Sequence, residues 1–105
     1  MAGAGFTTLW EFTVDPARQA EFESHYGPEG EWTALFRRAE GYLGSELLQD
    51  RANPLRYLTV DRWQSLEAWR AFLSRFAADY ERLDRQFEGL ASREAPLGEY
   101  APAGG

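Results

Sequence analysis

Side chains that titrate near neutral pH are scarce in this chain. His25 is the only histidine in the 105 residues, and histidine is the side chain whose ordinary pKa lies closest to neutrality. Tyr26 and Trp32 follow it closely, so His25 could accept the proton of a bound phenol. The alternative is a structural role at a helix end, where the imidazole binds a last-turn carbonyl or interacts with the helix dipole. A lone histidine without a placed partner favours that structural role.

Arg62 is the second candidate for chemistry. Its guanidinium carries a fixed fork of donors, which suits an anionic substrate or a developing oxyanion. Arginines and carboxylates are interspersed throughout the sequence, however. An ion pair with Asp61, with Asp79 or with a glutamate of a second copy of the chain is therefore the explanation that we favour.

Aromatic side chains make up 15% of the residues, more than a single small core obviously needs. The surplus indicates a ligand cavity or a large partner interface. Trp32 is the best candidate to line a cavity, because it lies in an irregular segment after Gly27-Pro28. The hydroxyls of Tyr26 and Tyr57 could donate to a substrate carbonyl or, equally well, form hydrogen bonds at an interface. The full set of candidate ligand contacts is Tyr26, Trp32, Phe36, Tyr57, Trp63 and Phe72.

Other aromatic residues recur at helical spacing in the second half of the chain. They are Trp69, Phe76, Tyr80 and Phe87. A stripe of this kind is more typical of a protein core than of a ligand cavity, so we expect these four in the core.

Residue types that are missing exclude several classes of site. There is no cysteine, which excludes disulfides, thiolate nucleophiles, zinc–thiolate sites and iron–sulfur clusters. There is no lysine either, which excludes Schiff-base and phosphate-loop lysines. One histidine rules out a two-histidine metal site within one chain. The acidic residues at positions 21, 23, 29 and 31 are explained by a solvated face, so we expect no metal.

The charge and hydropathy patterns indicate which partners to expect. The net charge is −6, whereas a nucleic-acid partner requires a basic face, so we expect none. The first residues lack the charged and apolar segments of a secretion signal, and no stretch approaches the ~20 apolar residues of a membrane span. We therefore expect a cytoplasmic protein without membrane contact.

The hydrophobic periodicity predicts one domain over residues 1–105, with an ordered core from about 6 to 100 and small, flexible ends. Asp15-Pro16 has the form of a helix start, and Ala52-Asn53-Pro54 that of a tight turn. Apolar residues from Leu66 to Leu90 follow an unbroken three–four spacing, which predicts one long helix. We expect strands at 6–14, 42–51, 55–63 and 91–100 and helices at 17–26, 31–40 and 66–90.

The element order is β-α-β-β-α-β, which predicts an α+β, ferredoxin-like fold with a four-stranded antiparallel sheet and helices on one face. Pro96 and Gly98 make the last strand an edge strand. The strand at 55–63 carries bulky side chains on both faces, whereas a sheet that is covered on one side only has polar residues on the other. We therefore expect a second copy to cover the open face in a homodimer.

This order and several local patterns resemble the antibiotic biosynthesis monooxygenase superfamily of dimeric α/β barrels. The matching features are Gly-Tyr-Leu-Gly at 41–44, Tyr57-Leu58, and Asp61-Arg62-Trp63 followed by an alanine-rich aromatic helix. The resemblance covers about residues 6–100. Most of the matching residues are packing residues, so the resemblance is specific for the fold rather than for an activity.

The resemblance implies a pocket between the sheet and the helices of each subunit. Several members of the superfamily oxidise aromatic polyketides or quinols with O₂ and no cofactor. Such chemistry needs a dry aromatic cavity, a proton acceptor and donors for an oxyanion. Members that degrade haem rely on an Asn, a His and a Trp. Here the only Asn is Asn53, in a turn, His25 lies in the first helix, and Phe72 stands at the position of that Trp, so we expect no haem.

The resemblance thus favours a homodimeric, cofactor-free monooxygenase that acts on a small aromatic or quinol compound. His25 and Arg62 are its candidate catalytic residues. One alternative is a non-catalytic dimeric ligand-binding or accessory protein on the same fold. Another is an isomerase or cyclase that acts on a similar compound. These alternatives stay open because a fold does not determine a function.

Overall fold

The structure of the protein, a computed structural model, describes residues 5–104. The expectation of flexible ends falls in part on residues 1–4 and 105, which lie outside the described residues. The predicted order of strands and helices is confirmed. Strands β1 to β4 are Phe6–Thr13, Tyr42–Gln49, Arg56–Trp63 and Arg93–Tyr100, and helices α1 to α4 are Gln19–Tyr26, Glu31–Phe36, Leu66–Arg75 and Ala77–Gln86.

The chain leaves β1 through the turn that Asp15-Pro16 predicts. The Asp15 carboxylate accepts the N–H of Ala17 at 3.0 Å, which satisfies a donor at the start of the helical segment. A single 3-10 turn, Pro16–Arg18, precedes α1. The helix therefore begins two residues later than predicted, because the first turn is wound more tightly than an α-helix.

Helix α2 ends at Phe36 and not at residue 40, as predicted. After it, the N–H groups of Arg38 and Ala39 bond to carbonyls three residues back, which is turn geometry. Gly41 then adopts a φ of +87°, and a Cβ at this position would lie 2.6 Å from the Cβ of Ala68. The chain must leave the helical conformation early so that it can pass α3 closely and enter β2.

The single long helix predicted over 66–90 is wrong, because it is divided at Phe76. This residue has a φ of −109° and a ψ of 26°, outside the helical range, and separates α3 from α4. The apolar spacing continues through the division, since Phe72, Phe76 and Leu83 are all buried. Periodicity reports which side of a segment is apolar and is therefore insensitive to a bend that keeps the same side inward.

The four strands form one antiparallel sheet in the order β2-β3-β1-β4. Asp61, near the end of β3, lies directly opposite Thr8 of β1 and Ser45 of β2. The register shifts once between β1 and β4, after Leu9, and once in β2, between Tyr42 and Gly44. As predicted, β4 with its proline is an edge strand.

One face of the sheet packs on the helices and forms the core. The core residues at this interface include Phe6 and Phe12 of β1, Tyr57 and Trp63 of β3, and Phe72 of α3. The alternate residues of the strands point to the opposite face. Leu48 and Tyr100 there are 44% and 50% exposed. Coverage of this open face by a second copy remains a prediction.

No helix within residues 5–104 combines the length and the apolar character that a membrane crossing requires.

Candidate functional site

A half-open cavity lies between the helix-covered face of the sheet and the helices. Its volume is about 70 Å³. Alternate residues of β1 and β3 form its floor, and side chains from all four helices and from β4 form its walls. The floor consists of Thr8, Trp10, Phe12, Thr59 and Asp61, and the walls consist of Tyr26, Trp32, Thr33, Phe36, Trp69, Tyr80, Asp84 and Glu94.

A second, wider depression of about 420 Å³ adjoins the cavity. The two share Thr8, Trp10, Trp69 and Tyr80, and the outer depression adds Pro96, Gly98 and Glu99 of β4. The cleft therefore widens toward the edge strand.

Aromatic contacts hold the inner wall in place. The Trp32 ring lies 5.2 Å from Tyr80 in an edge-to-face arrangement, and 6.2 Å from both Tyr26 and Phe36. Such pairs stabilise one arrangement of the rings. The indole Nε1 of Trp32 is buried and has no hydrogen-bond partner among the described residues. A ligand acceptor in the cavity could therefore satisfy it.

Asp61 provides a carboxylate on the cavity floor. Ser45 Oγ donates to its Oδ1 at 2.5 Å, and Tyr42 OH lies 2.6 Å from Ser45 Oγ. Burial raises the pKa of Asp61 to about 6, although the hydroxyls of Ser45 and Thr8 favour the charged form. The group is thus ionised above that pH and is a stronger base than an ordinary aspartate.

Two phenols face the same space. Burial is the largest cause that raises the pKa of both Tyr26 and Tyr80 to about 12, and the negative charges of Asp84 and Glu94 add to it. For Tyr26, the neighbouring Trp32 indole acts in the opposite direction. Both side chains are therefore neutral at physiological pH. They can donate hydrogen bonds to an oxygen atom that gains negative charge.

The remaining polar wall is acidic. Asp84 and Glu94 line the cavity and make no ion pair within residues 5–104. The pKa of Glu94 is raised by its partial burial and by the negative charges of Asp84 and Glu88. No arginine or histidine is among the residues that line the cavity. The cavity thus favours neutral or cationic ligands over anions.

Residues 5–104 contain no cluster of side chains that could hold a metal ion. Across the described positions 5–104, no three histidine, aspartate or glutamate side chains come together as a metal site would require.

Three of the predicted site residues lie together at the cavity. Tyr26, Trp32 and Phe36 form adjacent parts of its wall. Tyr57 points to the same face of the sheet, but its hydroxyl donates to Glu23 Oε2 at 2.5 Å outside the cavity. Trp63 and Phe72 are fully buried against each other, with ring centroids 5.1 Å apart.

The two predicted catalytic residues lie outside the cavity lining. His25 Nδ1 is 2.9 Å from Glu31 Oε1, and its ring contacts Phe87 with a centroid distance of 4.5 Å. Arg62 points to the open face of the sheet, where it donates to Glu46 Oε1 at 2.6 Å. Its partner is thus a glutamate of its own chain and not one of the partners that we favoured.

Comparison with known proteins gives the family. The model of the family described as antibiotic biosynthesis monooxygenase matches residues 6–79. The chain belongs to this family. No curated protein sequence matches the chain.

Several solved structures are similar to this chain in fold. SnoaB, a cofactor-independent oxygenase from Streptomyces nogalater, is 25% identical, with a TM-score of 0.74 over 92% of this chain and 91% of the other. A SnoaB variant gives 24% identity and a TM-score of 0.79, over 97% and 96% of the chains. An enzyme described as a putative antibiotic biosynthesis monooxygenase, from Bordetella bronchiseptica, is 21% identical, with a TM-score of 0.72 over 92% and 95%.

Several residues that line the cavity of this antibiotic biosynthesis monooxygenase domain were not predicted from the sequence. Trp69 and Tyr80 were assigned to the core, and they do pack against it, but they also line the cavity. Asp61 was considered only as a partner of Arg62. It shares the parity of Tyr57 and Trp63, so a single carboxylate on an apolar strand face was the available signal. Asp84 and Glu94 lie beyond the segment that the family model matches.

Proposed function

We propose that this protein is a cofactor-independent monooxygenase that uses O₂ to oxidise a small aromatic or quinol compound. Two comparisons support the proposal: membership of the antibiotic biosynthesis monooxygenase family and similarity to SnoaB, which is described as a cofactor-independent oxygenase. The observation that carries it is the aromatic cavity with its partly buried carboxylate and two neutral phenols.

The reaction balances without an external reductant. An anthrone or a quinol gives up two hydrogen atoms and takes one oxygen atom from O₂, while the other oxygen leaves as water. All four electrons come from the substrate. Loss of a proton makes the ring electron-rich enough to pass an electron to O₂, so the protein must supply a base and exclude bulk water.

The cavity contains groups suited to each requirement. Trp10, Trp32 and Trp69 provide apolar faces for a flat ring. The hydroxyls of Tyr26 and Tyr80 can stabilise the oxygen atom that becomes negative as the substrate loses its proton. These groups are held by packing before a ligand arrives, which is what effective charge stabilisation requires.

Catalytic roles for His25 and Arg62 remain proposals. Neither side chain lines the cavity, and each already has a carboxylate partner. If His25 is the base, the His25→Ala change lowers turnover by about tenfold or more. Unchanged turnover would remove it from the mechanism.

A homodimer is part of the proposal. The open face of the sheet presents Leu48, Leu58 and Tyr100, and a second copy would remove these side chains from water. Light scattering at micromolar concentration should give twice the mass of one chain. The mass of one chain would contradict this part of the proposal.

Oxygen uptake tests the activity. Hydroquinones and anthrones are supplied as substrates in the presence of a chelator, with heat-denatured protein as the control. We expect uptake well above the control and incorporation of one ¹⁸O atom from ¹⁸O₂ into the product. The Tyr80→Phe change should slow the reaction, whereas Tyr100→Phe, which lies outside the cavity, should not. Retention of a compound without consumption would instead indicate a binding protein, and product formation without uptake an isomerase or cyclase.

A further inference from the structure

A row of three polar residues runs at right angles to the strands, and two of them, Thr8 and Asp61, lie in the cavity floor. Asp61 of β3 lies directly between Ser45 of β2 and Thr8 of β1. All three strands thus contribute to one carboxylate site. Building on the proposed function, we propose that Asp61 is the residue that takes the proton of the bound substrate, and that Ser45 and Tyr42 are the positioning residues that hold it.

The hydrogen bonds define a direction. Ser45 has one hydroxyl proton, which it donates to Asp61 Oδ1 at 2.5 Å. Tyr42 OH, 2.6 Å from Ser45 Oγ, must therefore be the donor to Ser45. The chain runs from Tyr42 through Ser45 to the Asp61 carboxylate. This chain of hydrogen bonds fixes the orientation of the Asp61 carboxylate and leaves one side of the carboxylate open to the cavity.

The irregular start of β2 makes this chain possible. The register between β2 and β3 shifts between Tyr42 and Gly44, where an extra residue is accommodated. Tyr42 and Ser45 are three positions apart, an odd separation that would place them on opposite faces of a regular strand. The bulge brings both hydroxyls to the helix-covered face, a common way of redirecting a side chain beside a site.

Competing bases in the cavity are less suitable. Tyr26 and Tyr80 hold their protons until far above neutral pH, so they act as donors. Asp84 and Glu94 are more exposed than Asp61, so water solvates their charges more fully, although partial burial raises the pKa of Glu94. Asp61 is the partly buried carboxylate of the floor. The titratable groups around it are Tyr42 on β2, Tyr26 on α1, Tyr80 and Asp84 on α4, and Glu94 on β4, all of them acids.

The proposed step moves one proton. The O–H bond of the substrate breaks, its electron pair stays on the substrate oxygen, and the proton forms a new bond to an Asp61 carboxylate oxygen. The net charge of the cavity does not change, because one negative charge appears as another is neutralised. An acidic cavity tolerates this transfer better than it would tolerate removal of the proton to bulk water.

Turnover and titration together test the proposal. The pH dependence of oxygen uptake is measured for the wild type, Asp61→Asn, Ser45→Ala and the control Asp79→Asn, which lies outside the cavity. We expect kcat to fall by about 100-fold in Asp61→Asn with a smaller change in KM. In Ser45→Ala the acid limb should move to higher pH, because the charged carboxylate loses a donor. The ¹³C NMR titration of the Asp61 carboxyl carbon should move by the same amount. If Asp61 had only a structural role, its titration would still move, but the acid limb of turnover would not follow it.

A binding measurement separates this inference from the proposed function. 4-Nitrophenol absorbs visibly only as its anion, so its ionisation in the protein can be followed without turnover. Beside a charged Asp61, bound 4-nitrophenol should ionise at a higher pH than free 4-nitrophenol. Asp61→Asn should reduce that shift to the part that burial and the negative charges of Asp84 and Glu94 cause, and Asp79→Asn should preserve it in full.

Three results would overturn the role of Asp61. The first is kcat of Asp61→Asn within about threefold of the wild type, which leaves the proposed function standing. The second is a nitrophenol shift in Asp61→Asn that is as large as the shift in the wild type. The third is no binding of 4-nitrophenol at millimolar concentration. Absence of oxygen uptake by the wild type, with the nitrophenol shift present and dependent on Asp61, would instead contradict the oxygenase proposal and retain Asp61 as the group that meets a bound hydroxyl.

Discussion

Tyr57 and Asp61 of strand β3 point to the same face of the sheet, four residues apart, and their surroundings differ. The Tyr57 hydroxyl donates to Glu23 and accepts from Gln19 at 3.1 Å and from Gln49 at 3.4 Å. Asp61 accepts a hydrogen bond from Ser45, lies opposite Thr8 and faces the cavity. All partners of Tyr57 thus come from the protein, whereas Asp61 keeps room for a partner from outside.

This difference separates a structural polar group from a candidate functional one. The glutamines that bind Tyr57 also donate to the carbonyl of Pro54, at 3.0 Å from Gln19 and 2.8 Å from Gln49. The Tyr57 network therefore fastens the β2–β3 turn to α1. A polar group with all its partners in the protein adds stability, while one that is partly buried and open to a cavity lowers stability and can act on a ligand.

The largest expected effect on stability is the pH dependence that Asp61 causes. Its pKa is 3.8 in a model compound and about 6 in the folded protein. Because the folded state then binds the proton more tightly than the unfolded state, the free energy of unfolding decreases as pH rises between these values. A pKa shift of about two units changes the free energy of unfolding by about 3 kcal/mol. Asp61→Asn lacks this effect, so its stability relative to the wild type should be higher near pH 7 than near pH 4 by up to that amount.

Urea denaturation of the wild type and of Asp61→Asn near pH 4 and near pH 7 measures this difference in stability. The contributions of other titratable groups are the same in both proteins and cancel. A difference that does not depend on pH would mean that Asp61 ionises normally. The comparison between Asp61 and Tyr57 would then lose its energetic basis.

A smaller effect with the opposite sign is expected for the Tyr57 network. Tyr57→Phe removes a hydroxyl with three partners and should lower the free energy of unfolding by about 1 kcal/mol, because the partners are mostly exposed and can turn to water. Its oxygen uptake should match that of the wild type. Urea denaturation and the uptake assay are run on the same preparation, with Tyr100→Phe as the control. A large loss of turnover with unchanged stability would mean that Tyr57 acts in the site. The contrast between a structural Tyr57 and a functional Asp61 would then be wrong.

The sequence predicted the sheet, its edge strand and the element order because those depend on residue periodicity and on turn-forming residues. Asp15-Pro16 and the alternating aromatic residues of β1 are examples. The division at Phe76 was not predictable in this way, since the apolar spacing is the same on both sides of it.

The candidate site was predicted only in part, for a different reason. Trp32 was predicted to line a cavity because it follows Gly27-Pro28. Tyr26 and Phe36 were among the other predicted ligand contacts. The raised pKa of Asp61 comes from burial in the folded protein. Its neighbours Ser45 and Thr8 are 16 and 53 positions away and meet it only through strand register. Residue type indicated Tyr57 and His25 as reactive, but their hydrogen-bond partners decide how available they are.

The smallest expected effect concerns the charge of the ligand and compares two glutamates. Glu94 lines the cavity without an ion pair in the described chain, while Glu23 accepts the Tyr57 hydroxyl outside it. The probes are dopamine and 3,4-dihydroxyphenylacetate, which share a catechol ring and carry opposite charges. Under anaerobic conditions, calorimetry gives the ratio of their affinities. We expect dopamine to bind more tightly and Glu94→Gln to lower this preference about threefold, because a partly exposed charge pair contributes little. Glu23→Gln changes the net charge of the protein by the same amount. It therefore distinguishes the effect of a charge at the cavity from the effect of the net charge. An equal loss of preference in both variants would show that the overall negative charge selects the cation, and the cavity wall would then have no part in ligand choice.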